Sequence, residues 1–249
     1  MAAQGWHHAS WHPEFYPQDL PIDWRLSYYS NEFCAVSVPA DMWAAADAGK
    51  IRAWMEEVHE DFLFYPGVAV VQTDWVQFAR KAQLLGEQLG GILLHLGAGQ
   101  GGIQEMVSSF RRASEIAPSC MLLAGDETFT AAEEILLAKQ GVEFAWRIEN
   151  LGNDETQAER ANPPWHGKGR LAVIQLAGNR PFSPRKLRDI IEAGLRWDVS
   201  LDNSRDSTNN SRVTGGRIML LMFEGDAADI GTMRAAGAIS DLLETPVAE

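Results

Sequence analysis

Seven short, almost wholly apolar runs recur along the chain and are separated by segments with helical periodicity. They lie at residues 34–38, 62–65, 91–96, 120–123, 142–146, 171–176 and 217–223. A nearly continuous apolar run is typical of a strand that is covered on both faces, as in a parallel sheet. An eighth, short strand is predicted at residues 2–5. Strands that alternate with helices form right-handed βα units, and eight such units in 249 residues predict a TIM-like (β/α)8 barrel.

The capping residues and the apolar spacing predict most of the helices between these strands. Thr130 and Glu133 have the capping-box pattern, and Ser183 precedes a proline at a first helical position. Helices are predicted over residues 74–89, 103–116, 131–140, 184–196 and 226–243. Two polar segments interrupt the alternation, and both are predicted to be long loops. One, residues 150–169, replaces the helix expected between the sixth and seventh strands, and the other spans residues 198–216. Neither has the character of a linker between domains, so residues 1–249 are predicted to form one domain.

The charge balance limits the classes of partner. The chain has 34 acidic and 21 basic residues and a formal net charge of −13. General binding to nucleic acid or to an anionic membrane requires a basic surface, and this composition argues against both. No apolar stretch approaches the ~18 residues of a membrane span, and no secretory signal is visible. The two cysteines, Cys34 and Cys120, are predicted to be buried, reduced thiols, which favours the cytoplasm.

The N-terminal region carries the most specific motifs of the sequence. It reads Gly5-Trp6-His7-His8-Ala9-Ser10-Trp11, followed by Phe15-Tyr16-Pro17, Leu20-Pro21, Trp24, Leu26 and Tyr28-Tyr29. This opening resembles that of the YecE-like family, also called DUF72, which typically shows G-W-x-Y-x-x-W, F-Y-P, L-P and W-L-x-Y-Y. The segment 89–96 is similar to the family's L-G-x-V-L-F-Q-L-P, and the region from Phe223 to Leu243 resembles its closing F-N-N-D-x-x-G and helix. The resemblance implies a TIM-like barrel with its site at the strand ends, but it implies no reaction.

The sequence departs from that family at the strand ends, where α/β barrels carry their functional residues. Leu123, Gly125 and Ala177 stand where the family usually has charged or imidazole groups. We therefore expect a divergent member with a degenerate site, catalytic or non-catalytic, whose mouth is poor in converging polar groups. The residues predicted to line the mouth are Trp6, His8, Trp11, His95, Asp126, Arg147, Gln175, Asn179, Arg180 and Glu224.

Several alternatives remain open at the level of the sequence. Imidazoles at His7, His8, His12 and His95 with carboxylates at Asp126, Glu149 and Glu224 suit a metal-assisted hydrolase of phosphoesters or of a nucleic-acid-related substrate. Residues Gly97 to Gly102 contain a GxGxxG pattern between a strand and a helix, which suits a nucleotide cofactor. The glycines equally suit an ordinary barrel loop, and an acidic surface suits a binding or assembly protein. The residues establish no metal or cofactor site, and they leave the small-molecule ligand and the oligomeric state unspecified.

The dense aromatic block between Trp6 and Trp24 has two interpretations. It suits a stacking platform for a sugar or a base, and it equally suits an apolar plug that closes one end of the barrel. We predict a mixture, in which Trp6 and His8 line the mouth while Phe15 and Trp24 are buried structural residues.

Overall fold

The computed structural model describes residues 1–70, 73–96, 102–117, 119–123, 130–150, 171–202 and 218–244. The strands are β1 (Ala2–Gln4), β2 (Ala35–Val38), β3 (Leu63–Ala69), β4 (Ile92–His95), β5 (Cys120–Leu123), β6 (Trp146–Asn150), β7 (Leu171–Gly178) and β8 (Ile218–Phe223). The helices are α1 (Arg25–Ser30), α2 (Ala40–Ala45), α3 (Ala48–Glu56), α4 (Trp75–Leu84), α5 (Ile103–Ile116), α6 (Ala131–Lys139), α7 (Pro184–Asp202) and α8 (Ile230–Glu244). Short 3-10 turns lie at Ala9–Trp11, Ile22–Trp24, Gly86–Gln88 and Gly225–Ala227.

The eight strands form one parallel sheet in the order β5-β4-β3-β2-β1-β8-β7-β6. Its two outer strands approach one another through a parallel bridge between Leu122 and Phe144. There the Leu122 N–H donates to the Glu143 carbonyl at 2.8 Å, and the Ala145 N–H donates to the Leu122 carbonyl at 2.9 Å. The sheet is therefore a nearly closed barrel with helices between its strands, and the predicted TIM-like (β/α)8 fold is confirmed.

Side chains alternate along each strand between the barrel interior and the surrounding helices. One buried cluster fills the interior: Ala2, Ala35, Tyr65, Leu93, Met121, Leu123, Ala145, Leu171, Val173, Leu220 and Met222. The larger cluster lies between the strands and the helices. This separation shows which residues of each strand point inward, and hence which of them reach the mouth at its carboxyl end.

The aromatic block of the N-terminal segment is mainly a structural plug. Trp11 and Phe15 are buried, and their rings meet edge to face with centroids 5.5 Å apart. Trp24 was predicted to be buried with them, but its side chain is 67% exposed. The turn at Ile22–Trp24 lies at the surface, and the first aromatic of the W-L-x-Y-Y motif points outward while Leu26 and Tyr29 point inward.

Tyr29 ties the first two strands together from outside the barrel. Its hydroxyl accepts a hydrogen bond from the Ala3 N–H at 3.0 Å and donates one to the Ala35 carbonyl at 2.9 Å. The ring stacks parallel to that of Trp11, with centroids 5.7 Å apart. A single buried side chain of α1 therefore joins β1, β2 and the aromatic plug.

Replacing Tyr29 with phenylalanine should lower the free energy of unfolding by about 1–3 kcal/mol in urea titrations, because a buried N–H and a buried carbonyl lose their shared partner. The matched control is Tyr28→Phe, since Tyr28 is 38% exposed. Its unfolding midpoint should stay close to that of the wild type. Equal losses in the two variants would show that the hydroxyl of Tyr29 is not what joins the strands.

Several predicted boundaries differ from the structure. The sixth strand was predicted at residues 142–146 but spans Trp146–Asn150, because its mouth half carries polar residues. The helix α7 runs to Asp202, past the predicted end at residue 196 and into the predicted loop. The last helix begins at Ile230, not at Asp226, and the Asp229 carboxylate accepts from the Thr232 N–H at 2.8 Å. Residues 151–170, which include nearly all of the loop predicted between the sixth and seventh strands, lie outside the described residues.

The two cysteines differ in environment. Cys120 is buried, as predicted, but Cys34 is exposed, and both are free thiols. Burial raises the pKa of the Cys120 thiol to about 12, so that thiol is inert near neutral pH. None of the helices in the described part of the chain combines the length and the apolar character needed to cross a bilayer.

Candidate functional site

Polar side chains follow the apolar interior at the carboxyl ends of the strands. Each of them lies two positions after a residue that points into the barrel interior. The pairs are Ala2 and Gln4, Ala35 and Ser37, Leu93 and His95, Val173 and Gln175, and Met222 and Glu224. Strand β6 contributes Arg147 and Glu149 in the same alternation after Ala145. We call these seven residues the mouth cluster: Gln4, Ser37, His95, Arg147, Glu149, Gln175 and Glu224. Because all eight strands are parallel, these side chains gather at one end of the barrel.

Glu224 is the centre of the hydrogen bonding in the mouth cluster. Its Oε2 accepts from Gln175 Nε2 at 2.8 Å and from Arg147 Nη1 at 3.4 Å. Its Oε1 accepts from Gln4 Nε2 at 3.3 Å. Strands β1, β6 and β7 therefore all reach the carboxylate that follows β8.

Arg147 connects two carboxylates. Its Nε donates to Glu149 Oε1 at 2.8 Å, and its Nη1 donates to Glu224 Oε2 at 3.4 Å. The side chain of Arg147 is 20% exposed, that of Glu149 is 30% exposed and that of Glu224 is 14% exposed. The ionic part of the mouth cluster is thus partly reachable from solvent, so a molecule in solution can approach it.

His95 lies across the barrel from Glu224, since three strands separate β4 from β8 in either direction around the sheet. Gly67 on β3 makes room for the imidazole: a Cβ there would lie 2.8 Å from His95 Nε2 and 2.9 Å from the Val38 carbonyl oxygen. Burial lowers the pKa of His95 to about 4. The imidazole is therefore neutral near pH 7, where one ring nitrogen donates and the other accepts a hydrogen bond.

Three buried polar atoms of the mouth cluster have no hydrogen-bond partner among the described residues: Ser37 Oγ, His95 Nε2 and Gln175 Oε1. Ser37 and Gln175 are both almost fully buried, at 0% and 2% exposed. A carboxylate only accepts hydrogen bonds, so the Gln175 amide must turn its nitrogen to Glu224 and leave its oxygen as an unused acceptor. A buried polar atom without a partner costs about 1–3 kcal/mol. The mouth cluster therefore has hydrogen-bonding capacity that this chain does not use.

The aromatic and imidazole candidates of the N-terminal segment mostly stabilise the fold. Trp6 was predicted to line the mouth, but it is buried and packs edge to face on Trp54 at 5.3 Å. Trp11 is buried and donates from Nε1 to the Ala228 carbonyl at 2.6 Å. The ring of His8 stacks on Trp11 at 4.4 Å, and its Nε2 lies 3.0 Å from the Gln4 carbonyl oxygen. His8 thus adjoins the end of β1 at Gln4 of the mouth cluster.

The remaining sequence candidates divide into three groups. Arg147 and Gln175 are brought together around Glu224, while His95 lies across the barrel from them in the same mouth cluster. Asn179 and Arg180 are exposed beyond the end of β7, and the Arg180 backbone carbonyl lies 3.4 Å from Asn150 Nδ2. Asp126 lies outside the described residues.

The metal and nucleotide alternatives concern, respectively, the His and acidic side chains and the glycine-rich segment, and the structure describes only part of them. Among the described residues, no three His, Cys, Asp or Glu side chains form a group that could hold a metal ion. Gly97 to Gly101 fall outside the described part of the chain, and Gly102 precedes α5 as its N-terminal capping position. The cofactor interpretation of the glycine-rich segment therefore rests on the sequence alone.

Gln4 and Ser37 were not among the predicted mouth residues. The signal that identifies them is the two-residue alternation within the strands, which places each of them two positions after an inward alanine. Leu123 and Ala177, which replace polar groups of the resembled family, are indeed apolar and buried inward. The polar groups of the mouth cluster come from other strand positions.

Comparison with known proteins finds similarity to one family. A family model described as "Protein of unknown function DUF72" matches residues 1–122. A solved DUF72 family structure from Thermotoga maritima has a TM-score of 0.64 and 14% sequence identity, covering 98% of this chain and 100% of that one. A solved DUF72 family structure from Enterococcus faecalis has a TM-score of 0.56 and 12% identity, covering 88% of this chain and 93% of that one. No curated protein sequence matches this chain significantly.

The matched segment contains only part of the mouth cluster. Gln4, Ser37 and His95 lie within residues 1–122, whereas Arg147, Glu149, Gln175 and Glu224 lie beyond it. At 12–14% identity the solved structures establish the fold alone.

Proposed function

We propose that this chain, whose residues 1–122 match the model of the DUF72 family of proteins of unknown function, binds a small polar molecule at the carboxyl end of its barrel. The single observation that carries the proposal is the unused hydrogen-bonding capacity of the mouth cluster. Ser37 Oγ, His95 Nε2 and Gln175 Oε1 are buried there without partners in the described structure. Buried polar groups in native proteins almost always have a partner, so such a group at the functional end of a barrel points to a ligand.

A purely structural role for the mouth cluster is less well supported. A polar network that only stabilises a core has its donors and acceptors satisfied, because an unsatisfied one destabilises the fold. Here the carboxylate of Glu224 has partners from three other strands, while the Gln175 amide oxygen beside it has none within the described part of the chain. The partial exposure of Arg147, Glu149 and Glu224 gives a molecule access to this region. To reach the buried acceptors, a ligand must shift the side chains that cover them.

Thermal-shift measurements against small neutral, cationic and anionic compounds test the proposal. We expect at least one compound to raise the melting temperature of the wild type, because a ligand that binds only the folded state stabilises it by mass action. Gln175→Leu removes the unused acceptor and a donor to Glu224, and we expect it to weaken that binding at least tenfold in calorimetry. A tenfold loss corresponds to about 1.4 kcal/mol, within the range of one lost hydrogen bond to a buried group.

The matched control is Asn179→Leu, which also replaces an amide by leucine near the end of β7, but at an exposed position. Its affinity should stay within twofold of the wild type. Equal binding by the wild type and the Gln175 variant would place the ligand elsewhere, and a screen in which no compound binds the wild type would contradict the proposal.

We place this binding function in the cytoplasm as part of the same proposal. The support is the pair of free thiols, of which Cys34 is exposed, since reduced exposed cysteines are typical of a reducing compartment. Fractionation of cells that produce the protein, followed by immunodetection, tests the location.

A further inference from the structure

The charge of the mouth cluster indicates which ligands it can accept. Its described ionic groups are two carboxylates, Glu149 and Glu224, and one guanidinium, Arg147. Burial keeps His95 neutral by lowering its pKa to about 4, so it adds no positive charge near pH 7. The mouth cluster thus has one more negative than positive charge, which favours a cation over an anion.

The hydrogen bonds within the mouth cluster also disfavour an anionic ligand. The guanidinium is the group that would bind a carboxylate or phosphate, but its Nε and Nη1 already face Glu149 and Glu224. The amide nitrogens of Gln4 and Gln175 both donate to Glu224. The strongest donors of the mouth cluster therefore act on the protein's own carboxylates.

What the mouth cluster offers to a ligand is mainly acceptors. Gln175 Oε1 is an acceptor by the orientation of its amide, and Gln175 is almost fully buried. The neutral His95 has one accepting ring nitrogen, and Ser37 Oγ accepts as well as donates. Glu149 Oε1 accepts a hydrogen bond from Arg147 Nε, while Glu149 Oε2 has no hydrogen-bond partner among the described residues. A group with several N–H donors and a positive charge complements this set.

From these contacts we infer that the ligand of the mouth cluster is a small organic cation that carries a protonated amine. This inference rests on the proposed function and adds the chemical class of the ligand. A primary ammonium has three N–H donors, which match the acceptors of Gln175, His95 and Glu149 in kind. The carboxylates of Glu149 and Glu224, at the ends of the two strands that flank β7 and Gln175, offset the cost of removing the ammonium from water.

Three probes with the same carbon skeleton test the inference: 3-amino-1,2-propanediol, glycerol and glycerate, which are a cation, a neutral molecule and an anion at pH 7. Calorimetry on the full chain at low salt should show binding of the aminodiol at least tenfold tighter than that of glycerol or glycerate. Glu149→Gln makes the described mouth cluster neutral, and it should weaken aminodiol binding at least fivefold while leaving glycerol unaffected. Because the side chain of Glu149 is partly exposed, we expect this variant to fold.

The matched control is Glu192→Gln, which removes the same charge from α7, where Glu192 pairs with Arg188 at 2.7 Å. That variant should bind the aminodiol as the wild type does. If glycerol or glycerate binds tighter than the aminodiol and the binding is lost in Gln175→Leu, the proposed function holds and the inferred ligand class is wrong. If the aminodiol binds equally to the wild type and Glu149→Gln, or does not bind at all, the inference is also overturned, and the wider thermal-shift screen decides the proposed function separately.

Discussion

Replacing Trp11 with alanine is expected to lower the free energy of unfolding by about 3–5 kcal/mol, the range for truncating a large buried aromatic side chain. The indole is 1% exposed and stacks against His8 and Tyr29, with ring centroids 4.4 and 5.7 Å away. Its Nε1 also donates to the Ala228 carbonyl, so the substitution leaves a cavity and removes a hydrogen bond between the first and last loops of the barrel. Urea titrations followed by circular dichroism measure the loss.

Trp24→Ala is the matched control, since it deletes the same side chain from a position where 67% of it is exposed. Its free energy of unfolding should lie within about 0.5 kcal/mol of the wild type, as for most surface substitutions. A large loss at Trp24 and a small loss at Trp11 would contradict the structure and restore the interpretation in which Trp24 is the buried aromatic.

The stability of the wild type should fall steeply as the pH drops from about 6.5 to about 4, with a contribution of about 3 kcal/mol from His95 alone. The pKa of His95 is lowered to about 4 by burial, whereas a histidine in the unfolded chain titrates near 6.5. Between these values the unfolded state binds a proton that the folded state does not. The free energy of unfolding therefore decreases as the solution becomes more acidic and stops changing from this source below about pH 4.

His95→Gln keeps a polar side chain at this position but does not titrate. We expect its unfolding free energy, measured in urea at a series of pH values, to vary less between pH 6.5 and 4 than that of the wild type, by about 3 kcal/mol. His59 is exposed, and His59→Gln should keep the pH dependence of the wild type. If both variants follow the wild-type curve, the imidazole of His95 is solvated in the folded protein.

Most of the barrel could be predicted from the sequence because its strands are covered on both faces. The apolar runs at Ile92–His95, Cys120–Leu123 and Leu171–Gly178 identify strands whichever side chains point inward. The predicted strand at residues 142–146 was displaced from β6, because the inward positions Arg147 and Glu149 of that strand are polar. The same residues that give the mouth cluster its charges thus concealed the strand that carries them.

The candidate site was predictable in part. His95, Arg147, Gln175 and Glu224 were identified because each lies at or beside the end of a predicted strand. Local sequence does not show that Trp6 is buried and that its ring packs on Trp54. Gln175 has an unused acceptor because its amide nitrogen faces Glu224. Local sequence does not show this contact, because Gln175 and Glu224 are 49 residues apart.

The place of β1 between β2 and β8 determines when the molecule is completed during its synthesis. One edge of β1 can pair with β2 as soon as both leave the ribosome, whereas the other edge waits for the last strand of the chain. Gln4 and Glu224, which are 220 residues apart, meet only then, and so do Trp11 and Ala228. A nascent chain that stops short of β8 has an exposed strand edge, which is prone to non-native pairing. It also lacks Glu224, the carboxylate around which the mouth cluster is organised, so the hydrogen bonds of that cluster form only once β8 has been synthesised.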